Sequence, residues 1–454
     1  MIADSSSSPF DYNSTFGSQA TTWLRARLNY RTGSAVQNSE LNIWSSSPVS
    51  LDLSQTQTEK SQRLFRVSTK ASQDDETAKV QPPEVVILFM PGNPGMVEFY
   101  QPFLNTLFNN LNSSSISNIV ISSSHLSHYI RTGDDSLSQR IKNSFQSLRV
   151  MASNLNASRL FKASDRSNLV GEEHSALEKQ VNYHNKVFES VYSSFDYERS
   201  ERGPQIVLIG HSVGAYIATK VLERNGNKIS HMIGLFPTIS EIGKTRNAAK
   251  LKLLFSPLSL PVVNFLQFLV GLTIPKALLV RMLQRTTGYI TIGSKKNLPT
   301  HQEKQDEFNS NIIANLLIDA GLTTNVLQMA RSEMKTIKEL DLEFLKRFKS
   351  QMTFYYTEPE KDHWIREEEF LKVSDIFGAQ ESLLFLGNQD ISKPSSSSNL
   401  DKAFKHSCIN RKIDNVSKHT DLNELTKGFG SNVIRGTEEV PHAFCLGLSP
   451  FFYV

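Results

Sequence analysis

Cysteine is nearly absent: the 454 residues contain two, Cys408 and Cys445. Two are too few for a disulfide framework or a cysteine zinc cluster, and the usage suits a reducing compartment. Net charge is nearly absent as well. Lys and Arg number 49 against 45 Asp and Glu, 49 − 45 = +4, which makes no electrostatic case for nucleic acid as a partner. The opening residues MIADSSSSPFDY lack a basic stretch followed by an apolar one, so no secretory leader is expected. There is no internal repeat. Uncharged apolar runs of membrane length are missing too, with a single exception at Leu253–Pro275. These absences leave an α/β or α+β protein, 39% hydrophobic and diluted by serine tracts.

The chain changes character near position 81. Residues 1–80 are polar and patchy, with Ser5–Ser8, Ser45–Ser47 and the charged run Gln73–Lys79 reading as loops or disorder. Alternating stretches at Leu41–Trp44 and Leu64–Val67 suggest leading edge strands. From there to residue 454 one interrupted domain is expected. VVILFM (Val85–Met90), bounded by Pro83 and Pro91, reads as a buried parallel strand. A helix pattern covers Val97–Leu111. Asn118–Ser122 is the next strand, Leu177–Phe195 a helix, Ile206–Gly210 a strand and Ala215–Arg224 a helix. His231–Pro237 and Gln351–Tyr356 continue the alternation. The expected fold is α/β, a mainly parallel sheet with helices on both faces. Three segments interrupt it: a polar surface insertion at residues 131–175, a helical cap at 241–349, and a low-complexity insertion at 380–427 around Pro394 and Ser395–Ser398.

Gly210-His211-Ser212-Val213-Gly214 matches G-x-S-x-G. Five residues alone say little, and a capped strand-to-helix turn would look the same. The context sharpens the pattern, because a buried strand enters it and a helix leaves it. A nucleophile elbow requires that arrangement, since its strained turn lifts the serine hydroxyl above the sheet. Ser212 is the candidate nucleophile.

An elbow serine needs an acid and then a base further along the chain. Of eleven histidines, His442 in Val440-Pro441-His442-Ala443-Phe444 is the last in the sequence, beyond the elbow and every recognisable strand and directly after a helix-forbidding proline. It is the candidate base. His211 is set aside, because the position beside the nucleophile aims its ring away from the hydroxyl. The acid belongs after the strand ending at Tyr356, where Glu358, Glu360 and Asp362 lie close together. Asp362 is preferred to hold the imidazole in its reactive tautomer, with both glutamates open as alternatives. The oxyanion donors are expected to be the Val213 N–H and one from Met90-Pro91-Gly92-Asn93-Pro94-Gly95. Proline has no N–H, so Gly92, Asn93 and Gly95 remain, with Asn93 preferred.

MPGNPGMVEFYQPFL, IVLIGHSVGAYIA, LFPTI, TFYY with DHW, and VPHAF together resemble the lipid-droplet-associated hydrolase family of α/β-hydrolases, from about Val85 to Phe444. The resemblance implies an α/β-hydrolase fold, lipid droplets and the cytosolic face of the endoplasmic reticulum as the location, and sterol esters or acylglycerols as substrates. It supports Ser212, Asp362 and His442 as the triad and Asn93 as a contributor to the oxyanion loop. It implies no metal or organic cofactor. Ser124-His125 falls where the family has a similar pair and reads as architectural. The chain departs from the family in its acidic turn before Asp362, in the 442 − 362 = 80 positions separating acid and base, and in a closing segment of 454 − 442 = 12 residues.

Leu253–Pro275 spans 275 − 253 + 1 = 23 residues without a formal charge, long enough to cross a bilayer. A single crossing would put Ser212 and His442 on opposite sides, and Pro257 and Pro261 break its first half. The expectation is an element lying in a phospholipid monolayer or endoplasmic reticulum surface, with Lys250, Lys252, Lys276, Arg281 and Arg285 at the headgroups. A buried cap helix over an acyl pocket is the plainer alternative. Two rival functions stay open on sequence: a droplet-surface scaffold with little turnover, and acyl transfer or thioester hydrolysis by the same residues.

Overall fold

A computed structural model describes residues 22–32, 35–53, 63–69, 82–130, parts of 141–152, 166–195, 203–254, 259–290, 300–357, 362–377 and 433–435. Its strands are β1 (Thr22–Thr32), β2 (Ala35–Ser45), β3 (Val49–Asp52), β4 (Arg66–Thr69), β5 (Val85–Met90), β6 (Asn118–Ser123), β7 (Gln205–His211), β8 (His231–Leu235), β9 (Met352–Tyr356) and β10 (Val433–Arg435). Eight form one sheet in the order β1-β2-β6-β5-β7-β8-β9-β10. From β6 to β10 all neighbours are parallel, and β2 joins β6, and β1 joins β2, antiparallel. This is the mainly parallel α/β sheet that the apolar runs predict, in the fold that the family resemblance implies.

The side-chain period of two lets one strand serve two cores. On β5, Val86, Leu88 and Met90 face one side, with Leu208 of β7 and with α2 (Arg166–Tyr192) and α3 (Val213–Asn225) packed over them through Leu177, Val187, Ile217 and Val221. Ile87 and Phe89 face the other side, against Leu104 and Phe108 of α1 (Gln101–Ser113). A strand buried on both faces must be apolar throughout, which is why β5 reads as a continuous run.

Between β8 and β9 the chain builds a helical cap: α4 (Arg246–Lys250), α5 (Ser259–Thr273), α6 (Lys276–Ile290), α7 (Thr300–Ile318), α8 (Ala320–Thr336) and α9 (Leu342–Phe348). Asp319 caps α8 by accepting from the Leu322 N–H at 3.0 Å, and Asp341 caps α9 from Phe344 at 3.0 Å. Last comes α10 (Glu367–Phe377), between β9 and β10.

The N-terminal part departs most from expectation. Leu41–Trp44 falls in the C-terminal half of an eleven-residue strand, β2, which lies inside the sheet between β1 and β6. β1 was not expected, because Arg25 and Arg27 interrupt its apolar residues. Ala26, Leu28 and Tyr30 are nevertheless buried at alternate positions. The main sheet thus begins at Thr22, ahead of the change in character near 81. Leu64–Val67 leads into β4, which pairs with β3 in a separate two-stranded sheet. α2 begins at Arg166, inside the segment read as a surface insertion. The insertion at 380–427 lies outside the described residues.

A Cβ on Gly214 would stand 2.1 Å from the Met90 carbonyl oxygen and 2.6 Å from that of Pro91. The first turn of α3 can therefore approach the end of β5 only without a side chain there. Gly214→Ala is expected to destabilise the protein by about 3 kcal/mol or more, the upper end of overpacking effects. Thermal unfolding followed by circular dichroism checks this, and an unchanged midpoint would refute the close packing.

Candidate active site

Sheet order alone selects a place for the site. The chain leaves β5 for β6 on one side and later returns to β7 on the other. The carboxyl ends of β5 and β7 thus flank a topological switch point, where open α/β sheets leave a crevice. Met90 pairs with Gly210, Gly210 with Gly234, and Gly234 with Phe354. The loops beyond that row hold the expected residues.

Ser212 stands between β7 and α3 with φ 53° and ψ −124°. That conformation is unfavourable for a side chain with a Cβ, and it persists only where the surroundings enforce it. They do so through hydrogen bonds. The Ser212 N–H donates to the Leu235 carbonyl at 3.0 Å, and the Ser212 carbonyl accepts from Ala215 at 2.9 Å and Thr238 at 3.3 Å. A Cβ on Gly92 would lie 2.9 Å from Ser212 Cβ, so the loop after β5 lies directly against the elbow.

The polar groups of that loop can be accounted for one by one. The Gly92 N–H donates to the Tyr100 hydroxyl at 2.9 Å. The Gly95 N–H closes the turn onto the Gly92 carbonyl at 2.6 Å. His128 Nδ1 donates to the Pro94 carbonyl at 2.6 Å, and the Gly95 carbonyl accepts from the His125 N–H at 2.9 Å. Pro91 and Pro94 have no N–H to offer. Among the described residues this leaves the Asn93 N–H as the loop's uncommitted donor. Gly92 and Gly95, open as donors on sequence, are ruled out because they are already bonded. The Val213 N–H opens α3, where the first amides have no intrahelical acceptor. One loop and one helix end thus supply two N–H groups beside Ser212.

His211 is buried, with Nδ1 2.8 Å from the Tyr100 hydroxyl and its ring edge-on to Phe236. It belongs to the support of the oxyanion loop. Asp362 is fully buried beyond β9; its Oδ1 accepts from the Trp364 N–H at 2.9 Å, and its carbonyl from Ile365 at 3.3 Å. Glu358, Glu360 and His442 lie outside the described residues. β10 pairs parallel to β9, with Arg435 opposite Tyr356. It therefore brings the chain to the same edge of the sheet, 442 − 435 = 7 positions before His442 in the sequence.

Sequence reasoning missed a second carboxyl. Glu369 of α10 is buried and accepts from the Ser240 hydroxyl at 2.5 Å. Burial pushes its pKa up to about 8, opposed by the Ser240 hydrogen bond and reinforced by the negative charge of nearby Asp362. The only hint in the sequence was Glu367-Glu368-Glu369, which reads as an acidic first turn of a helix.

Behind the oxyanion loop lie three buried histidines. His125 Nδ1 is 2.9 Å from His184 Nε2, and His128 packs edge-on to His125. Desolvation lowers His128 to about 4 and His184 to about 3, and takes His125 well below its ordinary 6.5. The Ser124 hydroxyl accepts from the Glu40 N–H at 2.8 Å, so Ser124-His125 has the architectural role read from sequence. Among the described residues, no three His, Cys, Asp or Glu side chains are grouped to hold a metal ion.

The family model described as lipid-droplet associated hydrolase matches residues 83–393. A curated relative, the lipid droplet-associated hydrolase of mouse (Mus musculus), is 23% identical over 286 residues, covering 62% of this chain and 72% of the relative. Among solved structures, a membrane phospholipase A described as a bacterial virulence factor aligns at 9% identity over 78% of this chain and 75% of its own, with a TM-score of 0.37. A hydrolase from Oleispira antarctica aligns at 11% identity over 66% and 80%, with a TM-score of 0.34. The strand order itself, not these scores, defines the fold.

The histidine cluster makes stability depend on pH with a definite sign. Unfolded histidines titrate near 6.5, whereas these stay neutral in the fold to about 4 or below. The unfolded chain alone takes up protons as pH falls, so stability is full above about 6.5 and is lost below it. Measured against wild type, the unfolding midpoint of His128→Asn, which keeps a donor for the Pro94 carbonyl, is expected to rise as pH falls from about 6.5 to 4.5. Glu98, Glu333 and Glu369, all raised to about 8, act with the opposite sign and cancel between variant and wild type. Identical slopes would contradict the prediction.

Proposed function

The chain belongs to the lipid-droplet associated hydrolase family, and we propose that it is a serine hydrolase of hydrophobic carboxylic esters, sterol esters or acylglycerols, working at a lipid-droplet or endoplasmic reticulum surface on its cytosolic face. The observation that carries this reading is Ser212, held at φ 53° at a strand-to-helix turn, with the Val213 and Asn93 N–H groups showing no acceptor among the described residues. In the proposed reaction the Ser212 hydroxyl attacks the ester carbonyl while His442 takes its proton, with Asp362 orienting His442. The tetrahedral oxyanion collects the N–H groups of Val213 and Asn93, each worth roughly 3 kcal/mol in the transition state. The oxyanion collapses, His442 returns the proton to the leaving alcohol, and an acyl-enzyme remains. Water, deprotonated by the same histidine, then releases the carboxylic acid.

Support for a lipid surface comes from α5, which is inverted relative to an ordinary cap helix. Its buried positions include the polar Asn264 and Gln267, while Val262, Phe265, Leu266, Leu269 and Leu272 are exposed, Val262 at 59% and Leu266 at 54%. Leu253, Leu278 and Met282 extend the apolar surface, with Lys252, Arg281 and Arg285 exposed around it. Among the described residues no single helix is long and apolar enough to cross a membrane, and α5 and the first part of α6 are bent by 108°. An apolar face fringed by cations, on a helix pair sharply bent at its middle, suits a monolayer of phospholipid.

Labelling of wild-type protein by a fluorophosphonate is expected, and none of Ser212→Ala. Asp362→Asn is expected to lower kcat on soluble esters on the order of 10³-fold or more, through the wrong imidazole tautomer. Absence of labelling in folded wild type would favour a scaffold. The double variant Leu266→Glu, Leu269→Glu is expected to bind phospholipid-coated triolein emulsions at least about tenfold more weakly, given the apolar area lost. Unchanged binding in a flotation assay would remove α5 from the contact.

A further inference from the structure

Asn93 joins the oxyanion loop to the cap. Asn93 Nδ2 donates to Glu333 Oε1 at 3.0 Å and to the Val326 carbonyl at 3.1 Å, both on α8. Two acceptors facing one nitrogen fix which end of the amide is which. The rest of the loop is held by the hydrolase core, through Tyr100, His125 and His128. Asn93 carries the loop's one N–H that has no acceptor among the described residues, and its side chain is tied to the cap.

α8 is well placed to act as a fixed support. Its Asn325 amide donates to the Ser127 carbonyl at 3.1 Å, and its Ser332 hydroxyl accepts from the Leu177 N–H at 3.1 Å. On its other side Thr323 and Thr324 bond to Gln267 at 2.6 Å and Asn264 at 3.3 Å on α5. Glu333 itself is buried, with Asn93 as its hydrogen-bond partner among the described residues. A carboxyl is an unfavourable group to bury, and at this position a leucine or methionine would fill the space without that penalty. What the carboxyl supplies that they cannot is a directional acceptor for the Asn93 amide.

We propose that Glu333 is a positioning residue for the oxyanion hole: by holding the Asn93 side chain against α8 it aims the Asn93 backbone N–H at the oxygen bound to Ser212. The proposal rests on the serine-hydrolase reading above. Glu333 does not touch the reacting atoms. Its effect is confined to the transition state, because the ground-state carbonyl has not yet moved into the hole.

Steady-state kinetics on p-nitrophenyl butyrate test it. Glu333→Leu is expected to lower kcat by about tenfold or more with KM within about twofold, and Glu333→Gln, which keeps an acceptor, to stay within about threefold of wild type. Asn93→Ala leaves the backbone N–H but removes the tie, and should lose a similar factor. The double variant Glu333→Leu, Asn93→Ala should lose no more than the larger single effect, because both act through one contact. A wild-type kcat in folded Glu333→Leu, multiplied losses in the double variant, or equal damage from Gln and Leu would each overturn the positioning role. Should Glu333→Leu fail to fold, Asn93→Ala decides alone: a reduced kcat at unchanged KM supports the proposal, and an unchanged kcat overturns it. Wild-type labelling at Ser212 by a fluorophosphonate keeps the hydrolase reading standing whichever way Glu333 falls, and folded wild type with neither labelling nor turnover overturns both.

Discussion

Everything at the site depends on how closely two backbones approach where β5 and β7 end. Met90 lies opposite Gly210, and a Cβ on Gly92 or Gly214 would stand within 3 Å of the facing chain. That proximity brings the elbow and the loop after β5 into contact, and it tolerates no side chain at these two positions. Ser212 keeps an unfavourable backbone conformation because Leu235, Thr238 and Ala215 all bond to it. The strain is local, and the two-sided core around β5 and β7 holds it in place.

The same economy governs the polar groups. The Gly92 and Gly95 N–H groups and the Gly92, Pro94 and Gly95 carbonyls of the loop after β5 are bonded, which fixes the loop and, among the described residues, leaves Asn93 as its remaining N–H donor. The supports are themselves buried and kept neutral, His128 at about 4 and Glu333 at about 8. Neutral supports keep their hydrogen bonds at neutral pH without adding stray charge near a developing oxyanion. The cap contributes a further layer through α8, whose opposite side carries the inverted helix α5.

Much of this was legible in the sequence, and what was not has physical causes. β5, and the middles of β6 and β7, stood out because strands buried on both faces carry near-continuous apolar runs. Ser212 stood out because strand, turn and helix follow one another without a gap. β1 was hidden by Arg25 and Arg27, whose charges mask the alternation of Ala26, Leu28 and Tyr30. β10 has only three residues, too few for any periodicity. Glu333 and Glu369 were invisible for another reason, since their meaning lies in partners 240 and 129 positions away. Leu253–Pro275 read as one apolar run, yet the helix starts only at Ser259, with Pro261 in its first turn where proline is tolerated.

The account stands or falls on a covalent intermediate at Ser212. Rapid quenching of the protein with a p-nitrophenyl ester, followed by peptide mass spectrometry, observes that species directly. The account predicts an acyl group on the peptide carrying Ser212, which disappears as water completes the turnover. Hydrolysis without any adduct there, or an acyl group on another residue, would contradict it.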